Sequence, residues 1–583
     1  MEALDHAAQL TIGHRLRSYD VIREQVEVII AGGGPFGLML ANELGRRGIT
    51  AGLFDEKAST AFNPQANATQ ARTMEHYRRL GFADEIRALG LPPEFPTDVA
   101  YYTRFAKHEL ARFKLPSARE AKQRVANLSG SWSTPELPHR VSQKYVERVL
   151  RRHAESLPGI SVHYGWRIMD FAEKRDHVVV EVAAVLSGEH RTVKGAYLAA
   201  GDGARSLVRR QLGISYVGET GIIRDFFGGR MLALYLRVPD FYRVVPHPPA
   251  WMNVTFNRDR RAFMCPVDGK GEFAFHTQLR DGENENEISD ADALGMFEAA
   301  VGVPIDAEIL SRDVWTAGHV LVAERFRQSR ILLGGDAVHL FTPTGGLGYN
   351  TAVDDAVNLG WKLAAVIKGT GGPLLLESYE LERRPVAVRN TNFARQFADS
   401  LGLFRPKDGL EREDSLGESL RREAGAYLDA HGRAEFNIPG ITFGARYDTS
   451  PVIAFDGSRI PPDPANSYAP TAAPGGRAPH AWLDDSQSLF DRFGFEWTLL
   501  RLGESAPPAE RLIAAAAVAG MQLEIVHVPS DALRRLYEAP LALIRPDQIV
   551  AWRGTDSANA TQIITKVLGK RANDQNQPGK GTS

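Results

Sequence analysis

The sequence predicts an α/β protein built around a Rossmann-like dinucleotide-binding domain, and three separated segments carry that prediction: AGGGPFGLMLANELGRRGI at 31–49, YLAAGDGARSLVRR at 197–210 and ILLGGDAVHLFTPTGGLGYN at 331–350. The first follows VEVII at 26–30, a short buried strand, and opens a helix whose apolar side includes Leu38, Leu40 and Leu44. In that setting Gly32 permits the tight turn, Gly34 lets the backbone approach a pyrophosphate and Gly37 allows close packing of helix on sheet, with Pro35 and Phe36 completing the fingerprint. The helix N-terminus adds partial positive charge and free N–H groups. A second apolar strand, AGLF, delivers Asp55 at about the 20-residue offset where a carboxylate accepts hydrogen bonds from ribose hydroxyls. Glu56 competes with it, because a one-residue shift of the strand would exchange the two.

The third segment repeats this logic at another part of the ligand. ILLGG reads as a buried strand leading to Asp336, and the loop at 342–348 precedes a helix expected from near Asn350. Its glycines let a flat ring lie against the backbone. A helix N-terminus at the pyrimidine edge of a flavin would stabilise the anionic reduced ring. In this order the three segments describe an enzyme that holds FAD.

These residues resemble the FAD-dependent aromatic hydroxylases, single-component monooxygenases typified by para-hydroxybenzoate hydroxylase and phenol hydroxylase, and the longer phenol hydroxylase branch most. The resemblance covers nearly the whole chain. It implies that Gln143 contacts the cofactor, that Gln65 stands near the flavin, that Asp202 and Gly203 form the motif serving both FAD and the passing nicotinamide nucleotide, and that Asp336 binds the ribityl chain. It further implies that Gly346, Leu347, Gly348 and Asn350 cradle the isoalloxazine and that the Pro343 carbonyl faces the reacting ring. Plainer readings stand beside these: Asp202 as turn chemistry, Gln143 as a helix cap, Arg205 and Arg209 as a solvated face, and His339 as a buried structural histidine.

The resemblance implies a discontinuous FAD-binding domain of the para-hydroxybenzoate hydroxylase type at 25–97, 129–222 and 311–398, with a β-sheet substrate domain inserted as 98–128 and 223–310. The runs MLALYLRV, AWMNVTF, RAFMCPV, EFAFHTQL, VAYYTRF and HELARF are the strands of that sheet. A break after Ala398 leads to a helical linker at 399–440 and a thioredoxin-like domain at 441–568, in which LIAAAAVAGM reads as a buried helix. That domain has no cysteine, so it has no dithiol chemistry. An N-terminal extension at 1–24 and a disordered tail at 569–583 flank the whole.

Composition agrees with a large enzyme. The chain has 583 residues, 43% of them hydrophobic, and a formal net charge of −2, so no basic field exists to attract nucleic acid or an anionic membrane. One cysteine, Cys265, excludes an internal disulfide framework and any cysteine-based zinc site, and no metal is expected. No stretch reaches the roughly 20 apolar residues of a membrane span; a reducing cytoplasm suits the single cysteine, and the resemblance implies a homodimer.

The resemblance implies that NADPH or NADH reduces FAD, that dioxygen adds at flavin C(4a), and that the hydroperoxide hydroxylates a phenolic ring. A free phenol titrates near pH ~10, so the protein must help to ionise it. His276 alternates with Ala274 and Gln278 on one strand face, falls where phenol hydroxylases place a tyrosine against the phenol, and is the lead acceptor for its proton. A structural histidine bonded to a neighbouring strand is the competing reading. Asn67 stands where that branch has a carboxylate, and an amide can orient the hydroxyl but not act as its base. Trp251, Asn253, Thr255, Met264 and Pro266 are the expected pocket residues, and their lack of charge predicts a neutral phenolic or hydroxylated heteroaromatic substrate. The alternatives are another FAD oxygenase or a halogenase of this fold, and an inactive flavin-binding assembly protein.

Overall fold

A computed structural model describes residues 22–571. The expected N-terminal extension and polar tail therefore lie outside the described residues except at 22–24 and 569–571.

Apolar residues on both faces of Gln25–Ala31, among them the fully buried Val28, Ile29 and Ile30, suit a central parallel strand covered on each side. It pairs in parallel with Ala51–Asp55 on one side and His190–Ala200 on the other. Ala51–Asp55 continues to Ile160–Tyr164, and His190–Ala200 to Ile331–Leu333. Parallel order brings the C-terminal ends of three motif strands, at Ala31, Ala200 and Leu333, to one edge of the sheet. The helices Pro35–Gly45 and Leu347–Ile367 pack across that sheet so closely that a Cβ at Gly360 would meet the Glu43 side chain. The second helix starts at Leu347, three residues before the expected Asn350, because Gly346 adopts a left-handed φ of 64° and caps it.

The inserted sheet has seven strands in the order Glu308–Thr316, Arg230–Arg237, Glu272–Gln278, Ala262–Pro266, Met252–Thr255, Val99–Tyr102 and Glu109–Phe113. All six runs expected from the sequence form. The seventh, Glu308–Thr316, corrects the boundary at 310, which falls inside a strand paired along its length with Arg230–Arg237. One face of this sheet, with Leu232, Leu234, Met264, Phe273 and Phe275, is sealed by the helix Asp290–Val301. The other face meets the FAD domain.

The expected break after Ala398 is absent, since Leu374–Leu403 is one helix of 30 residues, with Ser415–Phe436 following. The C-terminal unit has strand order Leu523–Val528, Trp497–Leu502, Leu541–Ile544, Val550–Gly554, the first pair parallel and the others antiparallel. LIAAAAVAGM forms the helix Glu510–Val518 within it, but as a surface helix: Leu512 and Ala516 face inward while Val518 is 92% exposed. Among the described residues, no helix is long and apolar enough to cross a membrane.

A buried ionic cluster ties this unit to the FAD domain. The Glu382 carboxylate accepts from Arg545 at 2.8 and 2.9 Å, Lys362 at 2.6 Å, Asn358 at 2.7 Å and Ser450 at 2.6 Å. Burial opposes the charge, yet Arg545 and Lys362 hold the Glu382 carboxyl well below the usual carboxylate range. Replacing one member of such a cluster leaves buried charge unmatched, so Glu382→Gln is expected to destabilise the protein by about 3–5 kcal/mol. Denaturant unfolding checks this, and an unchanged midpoint would show that the cluster contributes nothing net.

Candidate active site

The three motif turns meet around one side chain. Gly32, at φ 99°, lies so close to Gly201 that a Cβ would enter its carbonyl, and a Cβ at Gly37 would enter the Gly32 carbonyl. Phe36 fills the space left by Gly201 and Gly334, where any Cβ would overlap its ring. Phe36 is thus a packing residue that joins the motifs. Gly34 is different: its Cβ position has no protein atom within 4 Å, and it caps the Pro35–Gly45 helix with no side-chain hydrogen bond to the free N–H groups. Packing forbids side chains at Gly32 and Gly37, whereas the space beside Gly34 is open to a ligand.

Asp55 ends its strand with its carboxylate on the Gly33 N–H at 2.7 Å and the Lys57 N–H at 2.8 Å, so each oxygen keeps a lone pair for a ribose hydroxyl. Glu56 points elsewhere, paired with Arg167 at 2.6 Å with its side chain 57% exposed, which removes it from the cradle. Gln143 opens the helix Gln143–Glu155 and donates to Glu147 at 2.7 Å and to Gln65 at 3.3 Å, forming a polar ladder beside the 61–67 segment. Asp202 accepts from the Val208 N–H at 3.2 Å through Oδ2, while its buried Oδ1 has no partner. Burial raises this carboxyl above its usual range. Asp336 follows the third strand with its side chain exposed, and Gly335 beside it is anchored by Asp355. His339 is structural, bonded to that same buried Asp355 at 2.7 Å. The open wall at Gly34, the uncapped helix N-terminus and the orphaned Asp202 oxygen together fit the pyrophosphate and ribityl parts of FAD.

The glycine loop is positioned from two sides. Gly345 and Gly346 both have left-handed φ, at 62° and 64°, and Gly346 abuts Ala68. Asn350 holds the loop rather than presenting a free amide: its oxygen accepts from the Gln70 N–H at 2.8 Å and the Thr73 hydroxyl at 2.6 Å, and its nitrogen donates to the Ala68 and Gly346 carbonyls. Leu347 is buried against Phe397, Ile438 and Ile441, Gly348 lies within the helix's first turn, and Pro343 is exposed at the loop's edge. Glu435, buried at the end of Ser415–Phe436, accepts the Gly345 N–H at 2.8 Å. The linker helix thus reaches the flavin loop, a role that its charged, featureless sequence did not signal.

The substrate side corrects the expected pocket. Phe263 pairs with His276 and Cys265 with Ala274 across adjacent strands, so Met231, Met252, Val254, Phe263, Cys265 and His276 share the face toward the FAD domain. Asn253, Thr255, Met264 and Pro266 alternate onto the opposite face. There Asn253 donates to the Ala250 carbonyl at 3.0 Å, Thr255 bonds the Arg260 carbonyl at 3.1 Å, and Met264 belongs to the core under Asp290–Val301. Of the expected pocket residues, Trp251 alone packs with Ala68 and Met231 on the flavin side. Asn67 is half-buried beside the Cys265 thiol, which donates to the Met252 sulfur at 3.5 Å.

His276 lies on the correct face in a different chemical state from the one expected. It stacks on Phe263 with ring centroids 4.5 Å apart, and its Nδ1 accepts from the Trp315 indole at 3.2 Å. Burial pushes its pKa down to about 4. At neutral pH the ring is therefore uncharged, with its basic nitrogen engaged and its proton on Nε2. It is a hydrogen-bond donor and a poor proton acceptor.

Comparison with known proteins agrees with this geometry. Residues 25–394 match the FAD binding domain family, and residues 471–570 match the family described as aromatic-ring hydroxylase, C-terminal. An FAD-dependent monooxygenase, opdD of Penicillium oxalicum, is 31% identical over 86% of this chain and 99% of its own. A phenol 2-monooxygenase from a Pseudomonas species is 29% identical over 91% of this chain and 90% of its own. The solved structure of the rebeccamycin biosynthetic enzyme RebC with reduced flavin superposes with a TM-score of 0.84 at 30% identity, covering 94% of this chain and 100% of that one. The cradle formed by the three motifs and a family match spanning more than half of the sequence place this chain among the FAD-dependent aromatic-ring hydroxylases.

Proposed function

We propose that the enzyme uses NADH or NADPH and dioxygen to hydroxylate a phenolic or hydroxylated heteroaromatic ring held between the glycine loop and the Phe263–His276 face of the inserted sheet. The observation that carries this reading is the convergence of the Gly345–Gly346 loop, the Asn67–Ala68 segment and that sheet face. Bound FAD supplies the electron transfer and the activation of dioxygen. The chain supplies the rest. Gly34, the helix N-terminus, Asp55 and Asp202 bind the cofactor. Apolar residues such as Met231, Trp251 and Phe263 exclude water, and the amide of Asn67 and the Nε2–H of His276 orient the hydroxyl and favour its ionised form.

The C-terminal strand order, with one parallel and two antiparallel pairings, supports reading that unit as thioredoxin-like with a structural role. A homodimer acting on a small aromatic substrate is carried over from the family resemblance, and the lone cysteine suits a reducing cytoplasm.

Because the protein itself leaves room beside Gly34, Gly34→Val is expected to purify without flavin and to melt at the temperature of the flavin-free parent. A yellow variant would sink the pyrophosphate placement. His276→Phe is expected to lower coupled hydroxylation by about tenfold, the worth of one hydrogen bond to a charged group. Since His276 titrates near pH 4, the kcat/KM profile between about pH 5 and 8 should keep its shape in that variant. An acid limb that disappears would restore His276 as a base. Finally, NAD(P)H oxidation should be stimulated by a ring that is hydroxylated with little hydrogen peroxide released. Absence of stimulation across phenols, hydroxypyridines and larger polycyclic phenols would contradict the hydroxylase reading.

A further inference from the structure

Among the described residues, the other buried arginines all donate to an acceptor. Arg383, Arg477 and Arg545 face the buried carboxylates of Asp355, Glu75 and Glu382, and Arg261 donates to the Leu401 and Phe404 carbonyls. Arg140 breaks this pattern. It is 7% exposed, and among the described residues its guanidinium makes no hydrogen bond and no ion pair. Its planar group lies over the Trp251 ring, 3.8 Å from the centroid, and its electrostatic neighbour is the Cys265 thiol. Burial pushes that thiol up to about 12, so it is neutral and supplies no counter-charge. Burial also lowers Arg140 itself, to about 10, which leaves it a cation at neutral pH.

The position of this charge is defined by the fold. Arg140 pairs with Ala68 in a two-residue ladder, Ala68 abuts Gly346 of the glycine loop, and Asn67 lies beside the Cys265 thiol. Cys265 lies two residues along the strand from Phe263, the partner of His276, a separation of about 7 Å on the same face. A buried cation without an acid is destabilising unless an anion joins it. A guanidinium whose carbon lies 3.8 Å over an indole ring keeps N–H groups for a planar oxyanion, which an arginine binds through two parallel hydrogen bonds.

We propose that Arg140 is the anion-recognition residue of the substrate site and that the substrate is an aromatic carboxylate, in place of the neutral ring expected from the sequence. This rests on the hydroxylase reading above. The test is a titration of the FAD-loaded enzyme with benzoate and salicylate and with their uncharged counterparts, benzamide and salicylamide, followed by the perturbation of the flavin absorbance. The carboxylates should bind about 30-fold or more tighter than the amides. Arg140→Met should stay folded and yellow, because no acid loses its partner, and should lose the preference. Arg140→Lys should keep part of it, retaining charge without the fork. No preference in the parent enzyme, or a preference that survives Arg140→Met, overturns the proposal. Coupled NAD(P)H oxidation stimulated by neutral phenols and not by carboxylates also overturns it, while leaving the hydroxylase intact. A carboxylate preference without flavin reduction by any compound removes the hydroxylase reading and leaves the anion site standing.

Discussion

The architecture depends on the exclusion of side chains where three strands end. Gly32 sits against Gly201, Gly37 against Gly32, and the Phe36 ring occupies the room that Cβ atoms at Gly201 and Gly334 would take. One aromatic side chain therefore sets how the first helix, the second motif and the third motif stand relative to one another. The groups proposed to address the flavin hang from that contact: Gly34 on the helix, Asp202 after the second strand, and the glycine loop beyond the third. Tight packing of this kind leaves little freedom to compensate an added methyl. The same scarcity of side chains leaves one open wall, beside Gly34, where a ligand replaces protein atoms.

Much of this was legible in the sequence, and what was missed has a physical reason. Glycine turns after apolar strands are local patterns, so the cradle, its strands and the carboxylate at Asp55 could be read directly. The pocket could not, because the inserted sheet alternates with period two and nothing local says which set of residues faces the core. Asn253, Thr255, Met264 and Pro266 belong to the set that lies under Asp290–Val301, one residue out of step with Met252, Val254, Phe263 and Cys265. The strand carrying His276 already held the answer, since its cross-strand partner is Phe263, not Met264. Glu435 and Arg140 were invisible for another reason. They reach the site through contacts that span roughly 90 residues in the first case and a two-residue ladder to Ala68 in the second.

The linker helix has more than a connecting role. Glu435 takes the Gly345 N–H, and Leu347 packs on Phe397 of the preceding helix and on Ile438 and Ile441 just beyond. The geometry of the glycine loop is thus fixed jointly by the FAD domain, through Asn350 and Gln70, and by the helices leading to the C-terminal unit. The buried Glu382 cluster then locks those helices to the Arg545–Asp547 turn. A C-terminal unit with no cysteine is thus coupled to the glycine loop through this chain of contacts.

The charge pattern at the substrate face explains why the site can work without a nearby base. Asn67 is an amide, and His276 is uncharged with Nδ1 engaged by Trp315. Neither is suited to take a proton from a phenol. A group that stabilises an anion lowers the pKa of its parent acid just as effectively as a base that removes the proton, provided the proton can leave to solvent first. The imidazole N–H of His276 acts in that direction, while the Arg140 guanidinium is reserved for the carboxylate of the proposed substrate. On the proposed reading the substrate face holds negative charge on oxygen, and the electron density that ionisation of a phenol releases into its ring is what electrophilic oxygen transfer requires.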